Sequence, residues 1–478
     1  MHAERLKRSD APRPGVGIVH LGLGAFYRGF GAVYVADAMA ASGGDWGIIG
    51  VSLQSPGTRD ALVPQGCAYT SVTLGPDGEA CRVIEVLEDV LVAPEDPAAV
   101  LRAMADPAVK IVSLTVTEKG YCHAPATGAL NPDHPDVKHD LAHDLPRSAP
   151  GYIVRALQMR RAAGTAPFTV LTCDNLPDNG TVVRGVVLDL ATRIDPKLAG
   201  WIKAEVRFPA TMVDRITPAT TADDIARVTK LTGRKDAAPV LHEPFRQWAI
   251  EDDFVGGHRP DFAAAGAEMV DNVTAHEHMK LRMLNGTHSS LAYLGYLAGY
   301  ETIADTMADP DFGAFLRHLW TAEIAPAVEA PPGVSLSDYA DALFDRYANP
   351  AIRHRTWQIA MDGSQKLPQR ILGTVANGLD VGRATPGLCL AIAGWMRYVS
   401  GTDLAGKPIQ VKDPLAADLR AVCDAADNIE DRVRGLLALR AIFPAALAVK
   451  LEEPVIAAAK QLETLGAKGA VAAIGTKP

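Results

Sequence analysis

The sequence predicts an α/β amino-terminal domain, residues 1–270, followed by a mostly α-helical carboxy-terminal domain, residues 271–478. Three observations carry that expectation. The 478 residues exceed the roughly 250 to 300 that one hydrophobic core supports, so the chain should divide. Aliphatic runs alternate with Ala-rich helical patterns over the first half, the signature of strands joined by crossover helices. From His276 onward strand signals nearly vanish, and long Ala- and Leu-rich patterns with short Pro or Gly breaks replace them.

The first strand is read in GVGIVHLGLGAF, Gly15 to Phe26, where β-branched and aliphatic residues run into a glycine-punctuated turn. A helix from Arg28 to Ala41 and a second strand from Trp46 to Leu53 complete a βαβ unit, which places ligands at the carboxyl ends of its strands. Further strands are expected over Cys81 to Val92, Lys110 to Thr117 and Phe168 to Cys173, with helices near Pro97 to Met104 and Gly151 to Ala163. Gly120 to Pro150, rich in Pro, Gly, His and Asp, reads as a long surface excursion of the first domain.

Composition narrows the function. Hydrophobic residues at 48% and charged ones at 22% exclude a disordered or collagen-like chain. A net charge of −9 lacks the basic footprint of a duplex-binding protein, so no nucleic-acid partner is expected. Six scattered cysteines without a CxxC pair fit a reducing compartment. The first fifteen residues lack the apolar core of a signal peptide, and no apolar run approaches the roughly 18 residues of a membrane span. A cytoplasmic protein acting on small molecules is therefore expected, without a membrane partner, as a monomer or small homo-oligomer.

GLGAFYRG places Gly22, Gly24 and Gly29 between the first strand and its helix, where missing side chains let backbone amides approach a pyrophosphate. It departs from GxGxxG, because Tyr27 stands at the third position. The carboxylate that usually grips an adenosine ribose after the second strand is absent, since Leu53 is followed by Gln54, Ser55, Pro56 and Gly57. Arg59 could meet a 2′-phosphate or be a solvated charge.

The densest polar cluster, His276 to Tyr300, sets Lys280, Asn285 and His288 in an otherwise apolar helical pattern. At about 100° per residue the lysine, histidine and asparagine fall at roughly 0°, 80° and 140°, so all three can line one wall. Spacing alone also admits a solvated lysine, a capping asparagine and a satisfied buried histidine. His276 and His278, two residues apart, point to different sides of a helix, and no cysteine cluster has zinc-ligand spacing, so no metal is expected.

KLRMLNGTHS, together with TMVDRITP (Thr211 to Pro218) and CDNLPDNG (Cys173 to Gly180), resembles the polyol-specific long-chain dehydrogenases, the mannitol dehydrogenase family. TEKGY (Thr117 to Tyr121), EPFRQW (Glu243 to Trp248) and HRTWQIAMDGSQKLPQR (His354 to Arg370) look most like its fructuronate reductase branch. The likeness is dense from Gly15 to Arg370 and fades beyond. It implies a Rossmann-like domain followed by a helical one, an NAD cofactor, no metal, and interconversion of a sugar-acid ketone with its alcohol, D-fructuronate and D-mannonate being the best match.

The same resemblance assigns roles. Lys280 is the general base, Asn175 and Asn285 hold the substrate oxygen, His288 binds substrate and helps orient the lysine, and Glu277 could relay the proton or simply carry surface charge. Asp214 is expected at the substrate; Gly22, Gly24, Ala25, Phe26, Arg28 and Glu118 are expected at the cofactor. The chemistry agrees, because oxidising an alcohol needs a proton acceptor on its oxygen. A lysine serves if burial lowers its pKa from about 10.4 toward about 7 to 8, while amide donors stabilise the developing alkoxide without zinc.

Family members commonly read GAFHRAHQ after the first strand, whereas Tyr27 and Phe30 stand where those histidines are usual. Mannitol-type members often carry an arginine eight positions before the lysine of SxKxP; that place is Gln358, which points away from a neutral hexitol. A carboxylate on the substrate would need a cation, and Arg353, Arg355, Lys366 and Arg370 supply candidates, Lys366 and Arg355 foremost. Pro368 should keep residue 367 out of helix, making a loop of this segment. The competing readings are mannitol 2-dehydrogenase or another polyol dehydrogenase, and a nucleotide-binding protein without turnover.

Overall fold

A computed structural model describes residues 3–124 and 128–475. The chain divides into two compact units, one ending at Thr274 and one beginning at Ala275.

The first unit is built on five parallel strands. In chain order they are β1 (Val16–Leu21), β2 (Gly47–Ser52), β5 (Leu87–Val92), β6 (Ile111–Leu114) and β7 (Thr169–Thr172), and they lie in the order β5-β2-β1-β6-β7. This is the doubly wound arrangement in which strand order reverses between β1 and β6, and such a reversal opens a crevice at the strands' carboxyl ends. Each strand is a short aliphatic run because both faces are covered. Val19 and Leu21 enter one core with Val112, Ile153 and Val186; Ile18 enters the other with Phe30, Ile48 and Trp248.

The helix expected from Arg28 begins earlier and is broken. Residues Ala25–Gly29 form α1, Phe30 leaves helical geometry at φ −127° and ψ −84°, and Gly31–Ser42 form α2. Cys81 to Val92, read as one strand, is two. Tyr69–Gly75 (β3) and Gly78–Ile84 (β4) form an antiparallel hairpin outside the main sheet, while β5 lies within it. The break falls at Glu85, whose carboxylate accepts from the Ser9 amide and hydroxyl, both at 2.7 Å. An unbroken β-branched pattern hides such a tertiary tether.

The described part of the excursion between Gly120 and Pro150 contains helix where a surface loop is expected. A helix, Pro135–Ala142, buries Val137, and Asp140 accepts from the amides of Arg147 and Ser148 and from the Ser148 hydroxyl. Later strands of the unit include β8 (Thr211–Asp214), β9 (Val240–His242), which extends the hairpin beside β3, and β10 (Gln247–Glu251), antiparallel to β8.

The second unit contains helices and no named strand among the described residues. Thr274–Met279 leads into a π-helical segment, Lys280–Gly286, and then into Thr287–Leu297. The buried helix Pro386–Val399 packs against the last of these and against the terminal helix Ala445–Gly475, which bends at Gly466 (φ +69°). No helix among the described residues is long and apolar enough to cross a membrane.

Candidate functional site

The turn after β1 is made for glycine at one position above all. Gly22 has φ +91°, and a Cβ there would lie 2.2 Å from the carbonyl oxygen of Thr115 on the neighbouring β6 exit. The amides of Gly22 and Leu23 donate to the Val51 carbonyl at 2.9 and 3.1 Å. Exposed Gly24 then caps α1 without a side chain, so the first-turn amides of Ala25 and Phe26 lack intrahelical acceptors. A backbone that Cβ atoms would fill, ending in unsatisfied donors, fits the pyrophosphate of a dinucleotide.

Other members of the motif serve the scaffold. A Cβ on Gly29 would meet Val240 at 2.8 Å. Arg28 turns inward: its guanidinium donates to the Ala238 carbonyl at 2.5 Å and lies over the Tyr69 ring, and burial lowers its pKa. That geometry makes it a tether for the turn and leaves the expected cofactor contact to its neighbours. Tyr27 stacks on His20, and Phe30 packs against Phe26 and Trp248. Glu118 is exposed on the single helical turn Thr117–Gly120, just beyond β6. Arg59 is held by Glu95 and Asp60.

Asn175 is exposed immediately after β7, and the residues around it hold its loop. Asp174 accepts from the amides of Val116 (2.9 Å) and Thr117 (3.0 Å) and from the Tyr121 hydroxyl (2.7 Å), binding the β7 exit to the β6 exit. Burial raises the Asp174 pKa, and these donors oppose the rise. Asn179 is fully buried: its amide donates to the carbonyls of Asp174 (3.0 Å) and Thr211 (2.8 Å), and its oxygen accepts from the Thr211 amide. Three polar residues of CDNLPDNG thus divide the work, two fixing the loop that presents the third.

Asp214 ends β8, 5% exposed and paired in register with Gln247. Next to it Arg215 donates to the Gly29 carbonyl at 2.7 Å and the Glu243 carbonyl at 3.2 Å, and the Glu243 carboxylate accepts from the Ile216 amide at 2.6 Å. Burial, with Arg246 adding to it, pulls the Arg215 guanidinium down to about 10. Neither Arg215 nor Glu243 stands out in the sequence, although both lie inside TMVDRITP and EPFRQW.

In the second unit Lys280, 7% exposed, opens the π-helical segment and Asn285 lies near its end. This corrects the regular helical projection, because an i→i+5 ladder turns each residue by less than 100° and swings Asn285 back toward the azimuth of Lys280. Tertiary donors hold the wide turn. Trp320 Nε1 donates to the Met283 carbonyl at 3.0 Å, and the Tyr347 hydroxyl donates to the Leu284 carbonyl at 2.7 Å. Glu277 is half-buried one turn earlier; His276 is buried and His278 exposed, on different sides. Among the described residues no group of three or more His, Cys, Asp or Glu could hold a metal ion.

His288 follows the segment, buried, with Nε2 lacking a hydrogen-bond partner and its ring 4.7 Å from that of His354. Burial first, then the charges of His354, Arg370, Arg346 and Lys366, push its pKa well below the ordinary imidazole value. Lys366 Nζ donates to the carbonyls of Met361 (2.6 Å) and Ile359 (3.1 Å), and burial with Arg370 nearby lowers its pKa to about 8. Arg370 donates to Ser289 Oγ at 3.1 Å. Arg353 and Arg355 are set apart from these two, exposed and each 3.8 Å from Glu301. Gln358 is exposed.

The expected loop before Pro368 is instead helix. Leu367 has φ −58° and ψ −46°, and helix Gly363–Leu367 runs through a second π-helical segment, Pro368–Leu372, into Gly373–Asp380. The proline ring would crowd the carbonyl four residues back in a regular ladder, and widening the turn at that point relieves it.

Residues 16–263 match the family model described as the mannitol dehydrogenase Rossmann domain, and residues 272–464 match that of the mannitol dehydrogenase C-terminal domain. The D-mannonate oxidoreductase of Escherichia coli K12 is 46% identical over 465 residues, 96% of this chain and 95% of that protein. The uncharacterized oxidoreductase YdfI of the same organism is 50% identical over 437 residues, 91% and 88% of the two chains. The Pseudomonas fluorescens mannitol 2-dehydrogenase, in ternary complex with NAD and D-mannitol, superposes with a TM-score of 0.84 at 36% identity, covering 100% of this chain and 98% of that one.

Proposed function

The chain belongs to the mannitol dehydrogenase family, NAD-dependent oxidoreductases acting on CH–OH groups, and from that premise we propose that its substrates are the sugar acid D-mannonate and its keto form D-fructuronate. The observation that carries this choice is the pair of inward-turned cations, Lys366 and Arg370, beside buried His288. A carboxylate placed there gains charge-assisted hydrogen bonds, and one N–H of the Lys366 ammonium remains for it beyond the two carbonyls it already serves. A neutral polyol would meet these cations only through hydroxyl oxygens, without the charge pairing. The 46% identity to a D-mannonate oxidoreductase over nearly the whole chain supports the same substrate.

NAD, held at the Gly22–Phe26 turn, would supply the hydride acceptor for the substrate carbon. Lys280, buried at the opening of the π-helical segment, would take the hydroxyl proton as general base. The amide of Asn285 would donate to the oxygen as it gains negative charge, the role that the family resemblance also gives Asn175. His288, neutral because of its burial, accepts or donates one hydrogen bond through Nε2, and Asp214 accepts from a substrate hydroxyl. Gly22, Gly24, Ala25 and Phe26 would supply the pyrophosphate turn, and the resemblance adds Glu118, on the helical turn after β6.

Initial rates of NADH oxidation against D-fructuronate, D-fructose and other uncharged ketoses test the proposal. We expect kcat/KM for the keto-uronate to exceed that for fructose at least about a hundredfold, the worth of about two well-placed charge-assisted bonds. Comparable or faster turnover of fructose, or of mannitol over mannonate in reverse, would establish a polyol dehydrogenase instead.

A further inference from the structure

One buried polar network is not accounted for by these roles. His20, on β1, is fully buried in the core face that also receives Ile18. Its Nδ1 lies 2.8 Å from Ser113 Oγ and its Nε2 lies 2.8 Å from Thr115 Oγ1, both on the β6 side of the strand-order reversal. Thr115 Oγ1 in turn donates to the Gly22 carbonyl at 2.8 Å. Tyr27, from the first turn of α1, closes the network: its ring stacks on the His20 imidazole with centroids 3.3 Å apart, and its hydroxyl stands 3.4 Å from Ser113 Oγ.

Proton counting fixes the tautomer. A threonine hydroxyl has one proton, and Thr115 spends it on Gly22, so its oxygen can only accept from His20. The imidazole therefore carries its hydrogen on Nε2. Burial keeps the ring neutral, leaving Nδ1 as an acceptor that Ser113 Oγ–H must serve. The Tyr27 hydroxyl, 3.4 Å from Ser113 Oγ, is too distant to fix a proton position. The series from Ser113 through His20 and Thr115 thus has one arrangement and ends at the carbonyl of Gly22.

That carbonyl is a mechanically sensitive point. The Gly22–Leu23 peptide is gripped on both sides, its carbonyl by Thr115 and its N–H by Val51. Its orientation sets the direction in which the chain leaves Gly22 toward Gly24 and the first-turn amides of α1. We propose that His20, acting through Thr115, is a positioning residue that fixes the Gly22–Leu23 peptide and thereby aims the turn's amide donors at the pyrophosphate of NAD(H). The inference rests on the dehydrogenase reading above.

The test uses the full chain and NADH itself. Binding is measured by titration calorimetry, and kcat and KM for NADH with D-fructuronate, or with whichever ketose the chain reduces. Thr115 is only half-buried, so Thr115→Val should fold. We expect it to weaken NADH about tenfold, the worth of about one hydrogen bond, while kcat at saturating NADH stays within about twofold. Thr115→Ser, which keeps the hydroxyl, restores affinity. His20→Gln, which keeps an N–H near the Nε2 position but offers Ser113 nothing through Nδ1, falls between. A double variant of His20→Gln with Thr115→Val should be no weaker than Thr115→Val alone, because both act through one carbonyl. Unchanged NADH affinity in Thr115→Val, failure of Thr115→Ser to restore it, or additive losses in the double variant would overturn the inference. A wild-type chain that binds no NADH would instead overturn the dehydrogenase reading and take this inference with it.

Discussion

Gly286 lies flat against the backbone of Arg370: a Cβ on that glycine would stand 2.7 Å from the Arg370 carbonyl oxygen. Two π-helical segments meet there, the one opening with Lys280 and the one opening with Pro368. Because the obstructing atom is backbone, it cannot swing aside as a side chain would. Gly286→Ala should cost about 1 to 3 kcal/mol in denaturant unfolding, the range for overpacking. It should also lower kcat, since the same contact sets Asn285 relative to Arg370. An unfolding midpoint and kcat equal to wild type would show that the crossing carries no strain.

Lys280→Ala removes the proposed base and little else. Turnover should fall by about 10² to 10⁴, the usual contribution of a positioned acid–base group, while calorimetric NADH affinity remains near wild type. Retained turnover would remove Lys280 from the chemistry.

Asp174, at the β7 exit, accepts from three donors of the segment after β6, and Asp174→Ala leaves the amides of Val116 and Thr117 without that acceptor. Stability should drop by about 2 to 4 kcal/mol, whereas Tyr121→Phe, which deletes one donor, should cost about 1 kcal/mol. If the loop's job is to present Asn175, kcat falls with Asp174→Ala beyond what the lost stability explains at a temperature where the variant is fully folded.

These cases show where sequence is informative. The strands of the main sheet are legible because both faces are buried and each is a short aliphatic run, and the turn at Gly22 is legible because only glycine tolerates it. The π-helical turn at Lys280 is not. It depends on Trp320 and Tyr347, thirty-seven and sixty-three residues away, whose donors stabilise carbonyls that a regular helix would satisfy itself. Arg355 and Lys366 look alike as charges in one basic stretch, yet a carboxylate at Glu301 holds the first outside while two carbonyls draw the second in. Such choices are made by distant partners.

NAD(H) should be preferred to NADP(H). Arg59, the cation nearest the end of β2 in sequence, is occupied by Glu95 and Asp60, and a 2′-phosphate would have to displace them or meet their charge. The ratio of kcat/KM for NADH over NADPH measures this directly. Glu95→Gln should narrow the ratio by relieving the repulsion; a wild-type preference for NADPH would contradict the argument.

Lys366 gives the proposed carboxylate site a pH signature. Burial, aided by Arg370, lowers its pKa to about 8, so the ammonium is present below that value and is lost as pH rises through it. A bound carboxylate favours the charged form and therefore shifts the midpoint upward in the complex. The sign follows: KM for D-fructuronate should be low and flat below about pH 7.5 and rise above pH 8, whereas KM for an uncharged ketose should change little. Lys366→Met should raise KM for the keto-uronate about ten- to a hundredfold at pH 7, the worth of about one charge-assisted bond, and abolish its rise above pH 8. Arg355→Met, on the exposed side against Glu301, should alter neither. Lys280 acts on the proton of either substrate, so its contribution is common to both profiles and cancels in their ratio. A ratio independent of pH from 6.5 to 9.5, or equal losses on charged and uncharged substrates in Lys366→Met, would detach Lys366 from the carboxylate and leave the neutral polyol as the better substrate.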